Sequence, residues 1–186
     1  MTTTLVLGGT RSGKSRYAQT LLPEQSGVTF IAPGPVPSGD DPEWAARVQR
    51  HRRDRPDGWA TVESADVVRT ILYARGPVLL DCLGAWVTSL IDDAKLWDDH
   101  TAALDLVDQR AAELAALWSQ APYDSVAVTN EVGMSLVPTT PAGRLFTDAL
   151  GRVNVTISRV SDQVHLVVAG RLVNLTDAPP IPVPGG

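Results

Sequence analysis

Thr3-Thr4-Leu5-Val6-Leu7-Gly8-Gly9-Thr10-Arg11-Ser12-Gly13-Lys14-Ser15 is the stretch on which the fold turns. Thr3–Leu7 is a short apolar run stopped by two glycines, the pattern of a strand buried on both faces. From Lys14 to about Leu22 the chain predicts a helix, ended near Pro23. The segment between them fits G-x-x-x-x-G-K-[ST] in full. Glycines let a loop curl until its N–H groups converge on phosphate oxygens. The start of the following helix adds positive potential. Lys14 then reaches the β- and γ-phosphates, and the Ser15 hydroxyl is placed as a Mg²⁺ ligand. A chance glycine turn is the bland alternative. The strand–loop–helix setting speaks for a nucleotide site formed by Gly8, Gly9, Thr10, Arg11, Ser12, Gly13, Lys14 and Ser15.

Working outward, four more apolar runs predict core strands: Val28–Ala32, Val78–Asp81, Ser125–Thr129 and Val164–Ala169. Helical stretches lie between them, at about 65–74, 83–91, 102–118 and 142–160. In the third, Leu104, Val107, Ala111, Leu114 and Trp118 fall on one face. Asp41-Pro42-Glu43 reads as a further helix start, with Asp as cap and Pro at the first position, running to about Asp54 before Pro56. Apolar strands alternating with helices mean an α/β domain with a mainly parallel sheet flanked by helices. With the glycine loop after its first strand, it is a P-loop NTPase-like (RecA-like) fold. One domain spans 1–175, and the Pro-rich tail, 176–186, is expected to be disordered. Ligands of such sheets bind beyond the carboxyl ends of the strands. That directs attention to Gly8–Ser15, to Ala32, Pro33 and Gly34, to Asp81–Gly84, to Asn130–Pro138 and to Gly170.

Composition removes several classes of function. The 186 residues carry a net charge of −5, which argues against a protein that coats nucleic acid. No apolar run approaches the roughly 20 residues of a membrane span. The Met-Thr-Thr-Thr start lacks the basic and apolar regions of a secretory signal. Cys82 is the single cysteine, so no internal disulfide is possible, and the expectation is a cytoplasmic protein. Lys14 and Lys95 are the only lysines, which marks Lys14 further.

Two other groups carry chemistry. Asp81 ends the run Val78-Leu79-Leu80, the place of an acid that holds Mg²⁺ in phosphate-loop enzymes; capping the next helix is the alternative. Arg47, Arg50, Arg52, Arg53 and Arg55 crowd around His51 in nine positions. Guanidinium groups bind phosphate oxygens bidentately. On a helix, Arg47 and His51 share a face, with Arg50 beside them. Like charges disfavour the imidazolium, and a neutral imidazole is a competent nucleophile toward phosphorus. A solvated basic helix face with an incidental histidine is the competing reading.

These blocks, read in order, resemble the bifunctional adenosylcobinamide kinase/adenosylcobinamide-phosphate guanylyltransferase family of cobalamin biosynthesis. The resemblance rests on Gly8–Arg16, Ile31-Ala32, Arg47-Val48-Gln49-Arg50-His51-Arg52 with Arg55-Pro56 and Trp59, and Leu79–Leu83 with Trp86. It continues through Thr129–Gly133 with Val137-Pro138, Gly151–Asn154 and Val167–Gly170. It implies two reactions. An NTP, ATP or GTP, phosphorylates the aminopropanol hydroxyl of adenosylcobinamide. GTP then guanylylates His51, and the GMP passes to the cobinamide phosphate. It further implies that Ala32, Pro33, Gly34, Arg52, Arg53, Asp54, Arg55, Glu63 and Asp81 border the nucleotide, that Ser15 and Asp81 hold Mg²⁺, and that the protein is a homo-oligomer binding a corrinoid. Glu63 is equally readable as a surface acid at a strand end. Glu131 is readable as a proton acceptor or metal ligand, or as an anchor of its loop. The chain departs from the family's pattern at Pro33, Gly84, Ser89, Ser135-Leu136, Thr147 and Val155. Another small-molecule P-loop kinase with an arginine-rich lid helix, or a nucleotide-binding switch without turnover, are the alternatives.

Overall fold

The computed structural model describes residues 1–22, 27–34 and 56–182. The chain runs β1 (Thr3–Gly8), α1 (Lys14–Thr20), β2 (Thr29–Ala32), β3 (Ala60–Glu63), α2 (Val67–Tyr73) and β4 (Val78–Asp81). It continues α3 (Leu83–Ala94), α4 (His100–Trp118), β5 (Ser125–Asn130), α5 (Pro141–Val160), β6 (Gln163–Val168) and β7 (Arg171–Asn174). The strands form one sheet in the order β3-β2-β4-β5-β1-β6-β7. Every pairing is parallel except that of β6 with β7. The carboxyl ends of six strands therefore share one edge, at Gly8, Ala32, Glu63, Asp81, Asn130 and Val168.

β1 is buried along its whole length because it lies between β5 and β6 with helices on both faces. Its side chains alternate between two cores. Leu5 and Leu7 join the larger cluster under α2–α5, built on Trp86, Trp118, Leu145 and Leu150. Val6 joins the smaller one under α1, with Phe30, Leu79, Val128 and Trp59. Thr3 is tolerated in so apolar a strand because it is satisfied: its N–H and hydroxyl donate to Asp162 Oδ2 at 2.8 and 2.9 Å. The helix starts follow the local chemistry. Asp66, Asp99 and Thr140 cap α2, α4 and α5 by accepting the N–H groups of Arg69, Ala102 and Gly143.

The five expected core strands and the parallel sheet are present, and the sheet holds two strands more. β3 and β7 are its edges, mostly or wholly exposed, so they lack the apolar runs that mark buried strands. β7 arises because Ala169 and Gly170, both at positive φ, turn the chain back on β6. Asp81 does not cap α3; Cys82 stands at that position and makes no side-chain cap bond. The expected helix over 41–54 lies outside the described residues. After β7, the Leu175 N–H donates to the Val164 carbonyl and Thr176 Oγ1 accepts the Val164 N–H, so the chain stays tied to β6 up to that point. Among the described residues no helix is long and apolar enough to cross a membrane.

Candidate nucleotide site

The phosphate loop leaves β1 at Gly8 and returns into α1 at Lys14. Arg11 (φ 58°) and Gly13 (φ 99°) adopt left-handed backbone, which lets so short a loop reverse direction. The Ser12 N–H donates to the Gly9 carbonyl, and the Tyr17 N–H to the Gly13 carbonyl. Two neighbouring strands brace the loop. The Gly170 N–H of the β6–β7 turn donates to the Ser12 carbonyl at 2.9 Å, and the Glu131 N–H beyond β5 donates to the Gly8 carbonyl at 3.3 Å. Gly8 itself has no room for a side chain: a Cβ there would stand 2.6 Å from both Ser12 Oγ and the Val167 carbonyl oxygen. At seven residues α1 is two turns long, so the loop's own N–H groups rather than a long helix dipole supply the positive potential.

Lys14 is buried, and its Nζ donates to the Gly9 carbonyl at 3.2 Å, curled over the loop where a phosphate chain would lie. Asp81 ends β4, two strands from β1, which at about 4.8 Å per strand is about 10 Å along the edge. Its Oδ2 is buried with no hydrogen-bond partner. A carboxylate oxygen left this way is costly unless a ligand completes it. The Ser15 hydroxyl and the Asp81 carboxylate are oxygen donors of the kind that magnesium takes. No group of three or more His, Cys, Asp or Glu able to hold a metal occurs among the described residues. Beside Asp81, burial pushes the Cys82 thiol up, and the Asp81 carboxylate adds to the effect. Cys82 is thus kept protonated and a poor nucleophile.

The remaining sequence candidates fall into three groups. Ala32 ends β2, Pro33 and Gly34 follow it, and Glu63 ends β3 directly beside Ala32. This pair of strand ends lies on the far side of Asp81 from the phosphate loop, Glu63 four strands or about 19 Å from β1. Pro33 is fixed by Ser89, whose hydroxyl donates to the Pro33 carbonyl at 2.7 Å. Glu131 lies beside the phosphate loop; its Oε1 accepts the Gly133 N–H at 2.7 Å, the loop-anchoring geometry. His51, Arg52, Arg53, Asp54 and Arg55 lie outside the described residues.

One residue, present in the Gly151–Asn154 block but given no role from the sequence, acts here. Buried Asn154 on α5 accepts the Thr129 hydroxyl at 2.6 Å and donates to the Asn130 carbonyl at 3.0 Å, holding the end of β5 next to the phosphate loop. Its partners are 24 and 25 positions away, a separation that no local pattern encodes.

Comparison with known proteins follows the same lines. A family model described as cobinamide kinase / cobinamide phosphate guanyltransferase matches residues 4–175. The chain is similar to the bifunctional adenosylcobalamin biosynthesis protein CobU of Escherichia coli (strain K12), 38% identical over 176 residues, covering 89% of this chain and 95% of that one. It is also similar to the bifunctional adenosylcobalamin biosynthesis protein CobP of Pseudomonas aeruginosa, 34% identical over 171 residues, with 89% and 92% covered. Among solved structures it resembles a prototypical ATPase from a bacterial type III secretion system, with a TM-score of 0.50 at 9% identity. That match covers 89% of this chain and 50% of the ATPase, so the chain spans about half the length of that neighbour, and the likeness is one of fold.

Proposed function

Because the chain belongs to the cobinamide kinase / cobinamide phosphate guanyltransferase family, we infer that it builds the nucleotide-activated form of a corrinoid in two transfers. The acceptor is adenosylcobinamide. In the first transfer its aminopropanol hydroxyl oxygen bonds to the γ-phosphorus of an NTP. The bond from that phosphorus to the bridging oxygen breaks, the nucleoside diphosphate leaves, and the hydroxyl proton passes to solvent. In the second, an unprotonated nitrogen of His51 bonds to the α-phosphorus of GTP and pyrophosphate leaves. A phosphate oxygen of the cobinamide phosphate then bonds to the same phosphorus, the N–P bond breaks, and the imidazole is restored with adenosyl-GDP-cobinamide as product.

This chain's residues divide the work. The loop Gly8–Ser15 seats the phosphates with its N–H groups, and Lys14 moves from the Gly9 carbonyl onto their oxygens. Ser15 and Asp81 would hold a magnesium ion, which would neutralise charge at those oxygens when bound. Ala32, Pro33, Gly34, Arg52, Arg53, Asp54, Arg55 and Glu63 are assigned to the nucleotide along the rest of the edge. The reading takes residues 1–175 as the catalytic domain and the protein as a cytoplasmic homo-oligomer.

The observation that supports it most is a complete phosphate loop facing Asp81, a carboxylate with one buried and unpartnered oxygen, on the same sheet edge. The test supplies purified protein with cobinamide and nucleotides labelled at chosen phosphates. Label on the γ-phosphorus should pass to the corrinoid. Label on the α-phosphorus of GTP should first appear on the protein, in an acid-labile, alkali-stable bond. Corrinoid phosphorylation without any labelled protein would leave a kinase and remove the transferase.

A further inference from the structure

The loop from Glu131 to Thr140 holds apolar side chains that nothing among the described residues covers. Met134, Leu136 and Val137 are 82%, 94% and 79% exposed. Exposed apolar side chains standing together mark a surface that meets another molecule. These three are not on a slack tether. At one end the Glu131 carboxylate holds the Gly133 N–H, the Ser135 hydroxyl donates to the Val132 carbonyl, and Val132 packs on the main core. At the other, Arg144 donates to the carbonyls of Pro138 and Thr139, both at 3.0 Å. The segment between these anchors is thus presented to solvent by a braced loop.

Its place in the sheet says what it meets. The loop rises from β5, the strand between β4 and β1, so it stands between Asp81 and the phosphate loop. The Glu131 N–H is bonded to the Gly8 carbonyl itself. A γ-phosphate held between Lys14 and Asp81 would therefore lie beside this loop, and so would an acceptor hydroxyl that reaches it. A corrinoid is a broad ring whose rim carries methyl groups between amide side chains, one of which is extended into the arm carrying that hydroxyl. We propose that Met134, Leu136 and Val137 form the docking surface for the corrinoid ring, holding it outside the nucleotide site while its arm enters. This rests on the family reading above and adds to it the surface that binds the acceptor.

The experiment measures cobinamide binding by equilibrium dialysis, the KM for cobinamide in the kinase reaction, and GMP-adduct formation from GTP alone, which needs no acceptor. It compares wild type with Met134→Ser, Leu136→Ser, the triple variant adding Val137→Ser, and Leu172→Ser as an exposed apolar control on β7. Sedimentation reports the size of each. These side chains are already in solvent, so all variants should fold. Each loop substitution should raise the cobinamide Kd and KM about tenfold, the gain from burying one aliphatic side chain. Leu172→Ser should change neither. The inference is overturned if loop variants bind cobinamide as wild type does, or if kinase and adduct formation fall together. It is also overturned if the variants dissociate a wild-type oligomer, which would assign the patch to a second copy of the chain. Wild-type turnover with unaffected variants removes only the docking surface. A wild type that neither binds nor phosphorylates cobinamide removes the function itself, and the docking surface with it.

Discussion

Gly8→Ala and Gly9→Ala are the same chemical change one residue apart, and the structure separates them. A Cβ on Gly8 would stand 2.6 Å from the Val167 carbonyl oxygen, a backbone atom of β6, and 2.6 Å from Ser12 Oγ. The serine can rotate; the strand cannot move without disturbing the β1–β6 pairing, in which Gly8 faces Val167. Forcing extra volume into a packed site costs about 1–3 kcal/mol. In a chain of this size each kcal/mol lowers the Tm by about 2–4 °C, so Gly8→Ala should melt about 2–12 °C below wild type. A Cβ on Gly9 meets nothing within 4 Å. Gly9→Ala should therefore stay within about 0.5 kcal/mol of wild type, or about 1–2 °C. Calorimetric melts without nucleotide measure both. If Gly8→Ala melts with wild type, or Gly9→Ala falls as far as Gly8→Ala, the claim that β6 packs directly against the start of the phosphate loop is wrong.

Four further outcomes are expected. Lys14→Ala removes the charged contact to the phosphates, worth about 1.5–3 kcal/mol, so nucleotide Kd should rise about tenfold to over a hundredfold with both reactions impaired; a titration with a fluorescent GTP analogue reads it. Asp81→Asn takes a charge from a buried oxygen with no partner, so thermal stability should hold or rise while magnesium-dependent turnover falls at least a hundredfold; loss of both together would refute the ligand role. Asn154→Ala strands the Thr129 hydroxyl and frees the Asn130 carbonyl, costing about 1–3 kcal/mol in a denaturant melt. His165 is buried with Nδ1 3.0 Å from the Tyr17 hydroxyl, and burial holds its pKa below 6.5. As pH falls below about 6.5 the unfolded chain takes this proton before the folded one, so stability should drop in that window, and His165→Gln should flatten the slope.

The central part of this fold was legible because its determinants are contiguous. Thr3–Ser15 carries strand, turn chemistry and helix start within one stretch, and β4 and β5 are built on the contiguous apolar runs Val78–Leu80 and Val126–Val128. The edges were not: Ala60-Thr61-Val62-Glu63 and Arg171-Leu172-Val173-Asn174 form strands by pairing with a neighbour, while their own side chains stay mostly in solvent. The same contrast holds at the site. Lys14, Ser15 and Asp81 announce themselves by motif and by position after a strand. For Asp81 the structure removes the helix-capping alternative and leaves its oxygen free for a ligand. For Glu131 it supports the loop anchor that the residues alone left undecided. Asn154 and the exposure of Met134, Leu136 and Val137 depend on how distant segments meet, which periodicity does not record.

The measurement that bears most directly on the account is mass spectrometry of the intact and digested protein after incubation with GTP and magnesium, without any corrinoid. The account predicts one added GMP group, on His51, absent from His51→Ala, which should still phosphorylate cobinamide. A GMP group on any other residue, or none on a protein that binds GTP and completes the corrinoid transfer, would contradict it.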